Sequence, residues 1–340
     1  MEKHGERALL PALADEARAA AHARGTGGAC RACGREAAVL AERGDVVVVR
    51  HGSAVAKAHA PGTDPGDHRV RVAVAAHPLL AGILLPPVRA PGSLGGRPVT
   101  TWPYGSPVDP SDPDGAPWEA AASLLARLHA VPIGPLPRPL PDMRGPAKAA
   151  AAVARMRAVV PEHPAAGAVL AAWHRLPPWA RDEAPAPAPT RLCHGDLHLG
   201  QLVRHPVDGG SWHLIDVDDL GLGDPAWDLA RPAAWFAGGL LAPDVWARFL
   251  GAYRGAGGPA TGADGADAWP ALDVPARALT VQTAALALAK SAAQGRDLDD
   301  VERSMTDACA RIASLPTELD DMIRSPDGNG STQGDRASRS

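Results

Sequence analysis

Arg191-Leu-Cys-His-Gly-Asp-Leu-His-Leu-Gly-Gln-Leu-Val-Arg204, then Trp212-His-Leu-Ile-Asp-Val-Asp-Asp219, then Gly223-Asp-Pro-Ala-Trp-Asp-Leu-Ala230 hold most of the chemistry of the chain. Residues 202–205 and 212–216 read as two short strands, and 206–211, containing Asp208-Gly209-Gly210, supplies the hairpin turn. If His205 pairs with Trp212, Gln201 lies opposite Asp216. Directly opposite residues hold their Cβ atoms about 4.5–5.5 Å apart. An amide oxygen and a carboxylate would then converge on one hard cation, for which Mg²⁺ is the natural candidate. Asp196 stands in the loop entering the hairpin, where it can accept a proton from an incoming hydroxyl. Asp224-Pro225 is a helix start, with Asp as cap and Pro at the first helical position.

Working outward, the chain before this stretch changes character twice. Residues 7–24 carry Leu10, Leu13, Ala17, Ala20 and Ala21 at helical spacing. After a Gly-rich connection come β-type runs at 37–42, 46–50 and 54–58, separated by Arg43-Gly44-Asp45 and His51-Gly52-Ser53. A helix at 64–76 and strands at 82–85 and 99–102 follow, before a polar Pro/Gly/Asp connector at 103–115. Beyond it the pattern is helical: from about 117, then 146–160, 163–175, 225–237, 243–255, 270–293 and 298–315. Residues 317–340 show no periodicity and read as a disordered tail. The expected organisation is an N-terminal helix and Cys-containing connection (1–35), a small β-rich lobe (36–104), a larger helical lobe (105–316) and the tail.

His194-Gly195-Asp196-Leu197-His198, Leu214-Ile215-Asp216 and Gly223-Asp224-Pro225-Ala226-Trp227-Asp228-Leu229-Ala230 together resemble the aminoglycoside phosphotransferase/choline kinase-like family. The resemblance extends over roughly 36–315 and is sharp at 192–230. It implies an α+β, protein-kinase-like fold of two lobes, in which Mg·ATP gives its γ-phosphate to a hydroxyl of a small molecule. It also implies Asp196 as catalytic base, Asp216 as principal magnesium ligand and Asp228 as buttress of the catalytic loop, with Asp218 a supporting residue of the kinase core. Phosphoryl transfer relies on positioning and charge neutralisation, which suits this set. Val55-Ala56-Lys57 resembles the kinase lysine that reaches the nucleotide phosphates. Only four lysines accompany thirty arginines, so a lysine kept here has reason to be one. Trp102 and Tyr104 fall where such a fold links its lobes and holds the adenine; a plain hydrophobic linker is the competing reading.

Three features depart from the pattern. Between the first strands stands only Glu42-Arg43-Gly44-Asp45, not a Gly-rich phosphate loop. No Glu occurs from 58 to 118, so the lysine–glutamate pair of kinases cannot form, and Asp64 or Asp67 are the substitutes at hand. Gln201 takes the place of the more usual Asn, and His-Leu-Gly-Gln is also similar to maltokinases and related actinobacterial sugar kinases. An aminoglycoside-like acceptor is therefore the leading expectation, with a sugar or amino sugar second. A nucleotide-binding regulatory pseudokinase is the reading from another class. A protein-kinase role is disfavoured because no Ala-Pro-Glu follows Asp216.

Other residues carry weaker signals. His194 and His198 are read as locking their loop through hydrogen bonds. Cys193 reads as a small buried residue. Cys30-x-x-Cys33 is half of a zinc knuckle that His4, His22 or His51 could complete; an exposed turn is its ordinary reading. From 205 to 275 stand ten Asp, no Glu and three Arg. The surplus Asp244, Asp264, Asp267 and Asp273 would either line a cationic-substrate pocket or cap helices. Trp227, Trp235, Trp246 and Trp269 would pack the core or stack on a sugar ring.

Composition sets the outer limits. With 340 residues, 46% hydrophobic, and net charge −4, the chain has material for real cores and lacks the basic stripe of nucleic-acid binders. No run of eighteen apolar residues occurs and no secretory h-region is visible in the N-terminal stretch, so no membrane association is expected. Four cysteines make no disulfide framework, which points to a reducing cytoplasm.

Overall fold

The computed structural model describes residues 2–23, 32–43, 46–185, 191–262 and 264–316. Gly44, Asp45, Cys30, the side chain of His4 and the tail 317–340 lie outside them.

Helix α1 (Glu2–His22) precedes three strands, β1 (Ala38–Arg43), β2 (Val46–His51) and β3 (Ala54–Ala58). Helix α2 (Pro65–Ala75), β4 (Gly92–Leu94) and β5 (Arg97–Pro103) complete an antiparallel sheet in the order β1-β2-β3-β5-β4 with a helix beside it. Four consecutive valines from 46 to 49 suit a strand that is half buried, and β2 does alternate: Val47 and Val49 are buried, Val46 and Val48 less so. The same alternation through β3 decides where its lysine goes. Ala56 and Ala58 pack with Leu9, Leu13 and Ala17 of α1, so Lys57 must face the opposite side of the sheet.

The rest of the chain is mostly helical. Strand β6 (Ser106–Pro107) leads to α3 (Trp118–His129), α4 (Gly145–Val159) and α5 (Ala166–His174). Strands β7 (Arg191–Cys193), β8 (Leu202–His205), β9 (Ser211–Leu214) and β10 (Gly221–Gly223) carry the diagnostic stretch. Helices α6 (Ala226–Ala237), α7 (Pro243–Gly255), α8 (Trp269–Gln294) and α9 (Asp300–Ser314) follow. The apolar α8 is the centre of this region, packing against α4, α5, α6 and α9. Most of the buried side chains form one large core here, separate from the small core under α1. No helix among the described residues is long and apolar enough to cross a membrane.

Two local expectations are corrected. Residues 82–85 form no strand; only Leu84 makes an isolated bridge, parallel to Leu214. The hairpin is out by one residue from the expected pairing, since His205 faces Ser211 and Leu202 faces Leu214. That register puts two fully buried leucines across from each other, and a one-residue slip would turn one of them to the wrong face. Gln201 thus sits beside Ile215, whose N–H donates to the Gln201 carbonyl at 2.9 Å.

Candidate active site

The turn after β9 gathers the site. Asp216 adopts φ 65°, ψ 77°, a left-handed conformation that non-glycine residues seldom take. The Lys57 ammonium, arriving from the exposed-to-site face of β3, lies 2.7 Å from Asp216 Oδ1 and 2.9 Å from Asp218 Oδ2. Burial alone would lower the lysine pKa, but the two carboxylates raise it above its ordinary value. Gln201 also reaches Asp216: its side-chain amide is 3.4 Å from Oδ2. The expected meeting of Gln201 and Asp216 therefore occurs at the open end of the hairpin and not across its strands.

Neither Asp64 nor Asp67 approaches the lysine as a substitute for the missing Glu. Asp64 is spent on capping α2, accepting from the N–H groups of Gly66 and Asp67 at 2.8 Å, and Asp67 leans toward Arg71 at 3.8 Å. Lysine positioning falls instead to Asp216 and Asp218. Asp218 is itself held by His59 at 3.0 Å. Burial opposes its charge, yet His59 and Lys57 keep its carboxyl well below the usual range. His68 of α2 packs edge-on against His59, ring centroids 4.2 Å apart. Burial, with His59 adding to it, pushes the His68 pKa down to about 4.

Asp196 is clamped from two sides. Its carboxylate is 2.7 Å from Lys148 Nζ and 2.8 Å from Arg231 Nη2. Burial would raise its pKa, but these two cations bring it down to about 2. Lys148 also lies 2.7 Å from Asp219. One lysine of α4 thus ties the loop of Asp196 to the turn that begins at Asp216. Asp219 remains raised despite this contact, because burial outweighs the ion pair.

The loop between is fixed from behind. The backbone N–H groups of His194 and Gly195 donate to Asp228 at 2.6 and 2.7 Å. Asp228 is fully buried and also contacts His129 at 3.0 Å; the other ring nitrogen of His129 meets the Tyr253 hydroxyl at 2.8 Å. Gly195 has φ +84°, and a Cβ there would strike the Asp219 carbonyl oxygen, so only glycine serves. His194 Nε2 contacts the Ile215 carbonyl at 2.8 Å, and His198 accepts from the Gly200 N–H at 3.1 Å. Both histidines are therefore engaged in holding the loop. Asp224 accepts from the Ala226 N–H at 2.9 Å at the start of α6. Cys193 is buried, and burial raises its thiol pKa well above the ordinary value, which leaves it unreactive.

Trp102 is the penultimate residue of β5, paired with Val55, and Tyr104 follows directly on the end of that strand. Trp102 Nε1 donates to Thr100 Oγ1 at 2.9 Å. The Tyr104 N–H donates to the Ser53 carbonyl at 2.8 Å, its own carbonyl meets His205 at 3.0 Å, and the Arg50 guanidinium covers its ring. Three of the four surplus aspartates serve a helix or an ion pair. Asp244 lies in the first turn of α7, Asp267 caps the start of α8 through the Trp269 N–H at 3.0 Å, and Asp273 pairs with Arg277 one turn on. Trp246 and Trp269 stack with Phe236, and Trp227 is buried, so these rings serve packing.

The donor set at the turn suits Mg²⁺. Asp216 Oδ2 faces a side-chain amide whose oxygen and nitrogen can exchange by a half-turn, and hard oxygen donors completed by water and phosphate are what that ion takes. Sequence reasoning placed Asp219 with the kinase core without a role, and missed Lys148, Arg231, His59 and His68. Of these only Lys148 left a signal, as one of the few lysines.

A family model described as the phosphotransferase enzyme family matches residues 6–269. Among solved structures, a choline/ethanolamine kinase family protein from Mesorhizobium loti superposes with a TM-score of 0.51 at 19% identity, covering 92% of this chain and 99% of that one. A spectinomycin phosphotransferase, APH(9)-Ia, solved with ADP and spectinomycin, gives 0.51 at 14% identity over 86% of this chain and 93% of that one. A thermostable mutant of aminoglycoside phosphotransferase APH(4)-Ia, solved with AMP-PNP and hygromycin B, gives 0.55 at 16% identity over 82% and 94%. At such identities the likeness is one of fold. No curated protein matches the chain by sequence. With more than three-quarters of its length matched by the family model, the chain belongs to the phosphotransferase enzyme family, as an ATP-dependent phosphotransferase of small-molecule hydroxyls with a protein-kinase-like fold.

Proposed function

We propose that the chain transfers the γ-phosphate of ATP to a hydroxyl of an aminoglycoside-like acceptor. The observation that carries this reading is the continuous ionic chain through the turn at 216–219: Lys57 with Asp216 and Asp218 at one end, and Asp219, Lys148 and Asp196 at the other. Lys57 binds the nucleotide phosphates, exchanging carboxylate partners for phosphate oxygens. Asp216 and Gln201 hold Mg²⁺, which neutralises phosphate charge when bound. Asp196 orients the acceptor hydroxyl and takes its proton as the new P–O bond forms and the bond to ADP breaks. A clamped, ionised Asp196 fits a reaction in which that proton leaves late. The segment of Trp102 and Tyr104 borders the adenine, although the Tyr104 N–H is already committed to Ser53.

Likeness of fold to phosphotransferases solved with spectinomycin and with hygromycin B supports the acceptor class. The helix and ion-pair roles of Asp244, Asp267 and Asp273 weaken the acidic-pocket argument for a polycation, and a sugar or amino sugar stands second, favoured by the Gln201 string. ADP release from Mg·ATP, followed across aminoglycosides, amino sugars and maltose, tests both. Stimulation by aminoglycosides alone is the expected result. Asp196→Asn should keep nucleotide binding and lower turnover by about 10²–10⁴. Stimulation by sugars alone selects the second reading. Nucleotide binding with no turnover on any acceptor selects a regulatory module.

A further inference from the structure

We propose that His22, Cys33 and His51 bind a structural zinc ion at the end of β2 in the N-terminal sheet, through residues that the phosphotransfer site does not use. His22 is the last residue of α1, His51 the last of β2, and Cys33 lies in the turn between α1 and β1. Three elements distant in sequence thus deliver donors to one point. The Cys33 sulfur is 3.2 Å from His22 Nε2 and 3.7 Å from His51 Nε2. A tetrahedral zinc with bonds of about 2.3 Å to sulfur and about 2.05 Å to nitrogen sets those atoms about 3.6 Å apart. The two separations lie on either side of that value. All three donor atoms lie within 4.8 Å of one another, and the imidazole rings meet at 79°, so they do not stack.

One metal ion bound by a Cys33 thiolate and the unprotonated Nε2 atoms of His22 and His51 accounts for both contacts at once. A thiolate with two imidazoles selects zinc over the hard cation of the active site. Cys33 and His22 are exposed, which gives the ion an entry path, while His51 is buried and fixes the geometry. The site would join α1 to β2 over the small core of Leu13, Ala17, Val47 and Val49, where little apolar area is available to do so. β2 is paired with β3, so the same ion would steady the strand that carries Lys57.

The test uses the full chain, purified without a polyhistidine tag and kept reduced. Atomic spectroscopy after dialysis should find about one zinc per chain, and Co²⁺ exchanged for it should give intense tetrahedral d–d bands with a thiolate charge-transfer band. In Cys33→Ser the charge-transfer band should fall and zinc affinity drop by at least about tenfold. A chelator should lower the melting temperature of the wild type and leave that of Cys33→Ser unmoved. The proposal is overturned if folded wild-type chain takes up no zinc from a micromolar supply. It is equally overturned if Cys33→Ser binds zinc as tightly, or if cobalt binds without a thiolate band. Should Cys33→Ser fail to fold, the wild-type cobalt spectrum and chelator shift decide. Both are independent of ADP release, so failure here leaves the phosphotransferase reading standing.

Discussion

Asp196 keeps its charge in acid where an ordinary aspartate begins to lose it. Lys148 and Arg231 override burial and hold its pKa at about 2. Turnover should therefore show no acid limb from this group above pH 4. Lys148→Met removes one of the two cations and leaves Asp196 partly buried, so its pKa should climb toward or past the ordinary value of about 3.9. An acid limb in kcat should then appear near pH 4–5, with a smaller change in KM for ATP. Superimposable pH–rate profiles for wild type and variant would remove Lys148 from this role. At Gln201, loss of the amide should raise the Mg²⁺ concentration for half-maximal turnover by about tenfold or more; an unchanged magnesium titration of Gln201→Ala would discard it as a ligand. Asp196, Asp216, Gln201 and Lys57 were legible because each stands in a local string. Arg231 and Lys148 were not, since their partners are assembled only by folding.

At the level of elements, the reading of strands succeeded where period and turn chemistry agreed, as at 46–50 and 54–58, and slipped where one residue of loop length decided the pairing. In the hairpin, the N–H of Gly210 closes on the Pro206 carbonyl at 3.0 Å, leaving Ser211 to face His205. Strings of residues do not encode that count; burial of Leu202 against Leu214 does. Residues 82–85 look like a strand by composition because they pass through the core, where Leu84 and Leu85 are buried. The attachment of α6 to the loop at 194–198 runs through one fully buried carboxylate, Asp228. Asp228→Ala would strand the N–H groups of His194 and Gly195 and a ring nitrogen of His129 in the interior. It should cost about 3–5 kcal/mol, measured as a fall in the urea midpoint at unchanged slope. Asp299 caps α9 in a reciprocal box with Glu302 at the surface. Its replacement by Ala should cost only about 1 kcal/mol. Equal losses at the two sites would contradict the difference in burial.

Across the whole molecule, the end of β3, α2 and the turn at 216–219 meet at His59, His68 and Asp218. A missing residue type is visible in sequence, but that Asp216 and the His59-held Asp218 take its place beside Lys57 is a property of the assembled fold. This junction makes the stability of the chain sensitive to mild acid. The His68 pKa of about 4 lies below its unfolded value of about 6.5, so the unfolded chain takes up the proton first. The contribution of neutral His68 is complete above pH 6.5 and is lost as pH falls toward 4, an interval worth about 3 kcal/mol. Asp196 acts in a lower window: its depressed pKa stabilises fully above about pH 4, and that part goes as pH falls through about 2. Acid unfolding should therefore proceed in two stages. Urea midpoints at pH 7 and pH 4.5 would separate them, with wild type losing stability between the two pH values and His68→Leu losing much less. If the variant declines as steeply as the wild type, the first stage arises elsewhere in the molecule.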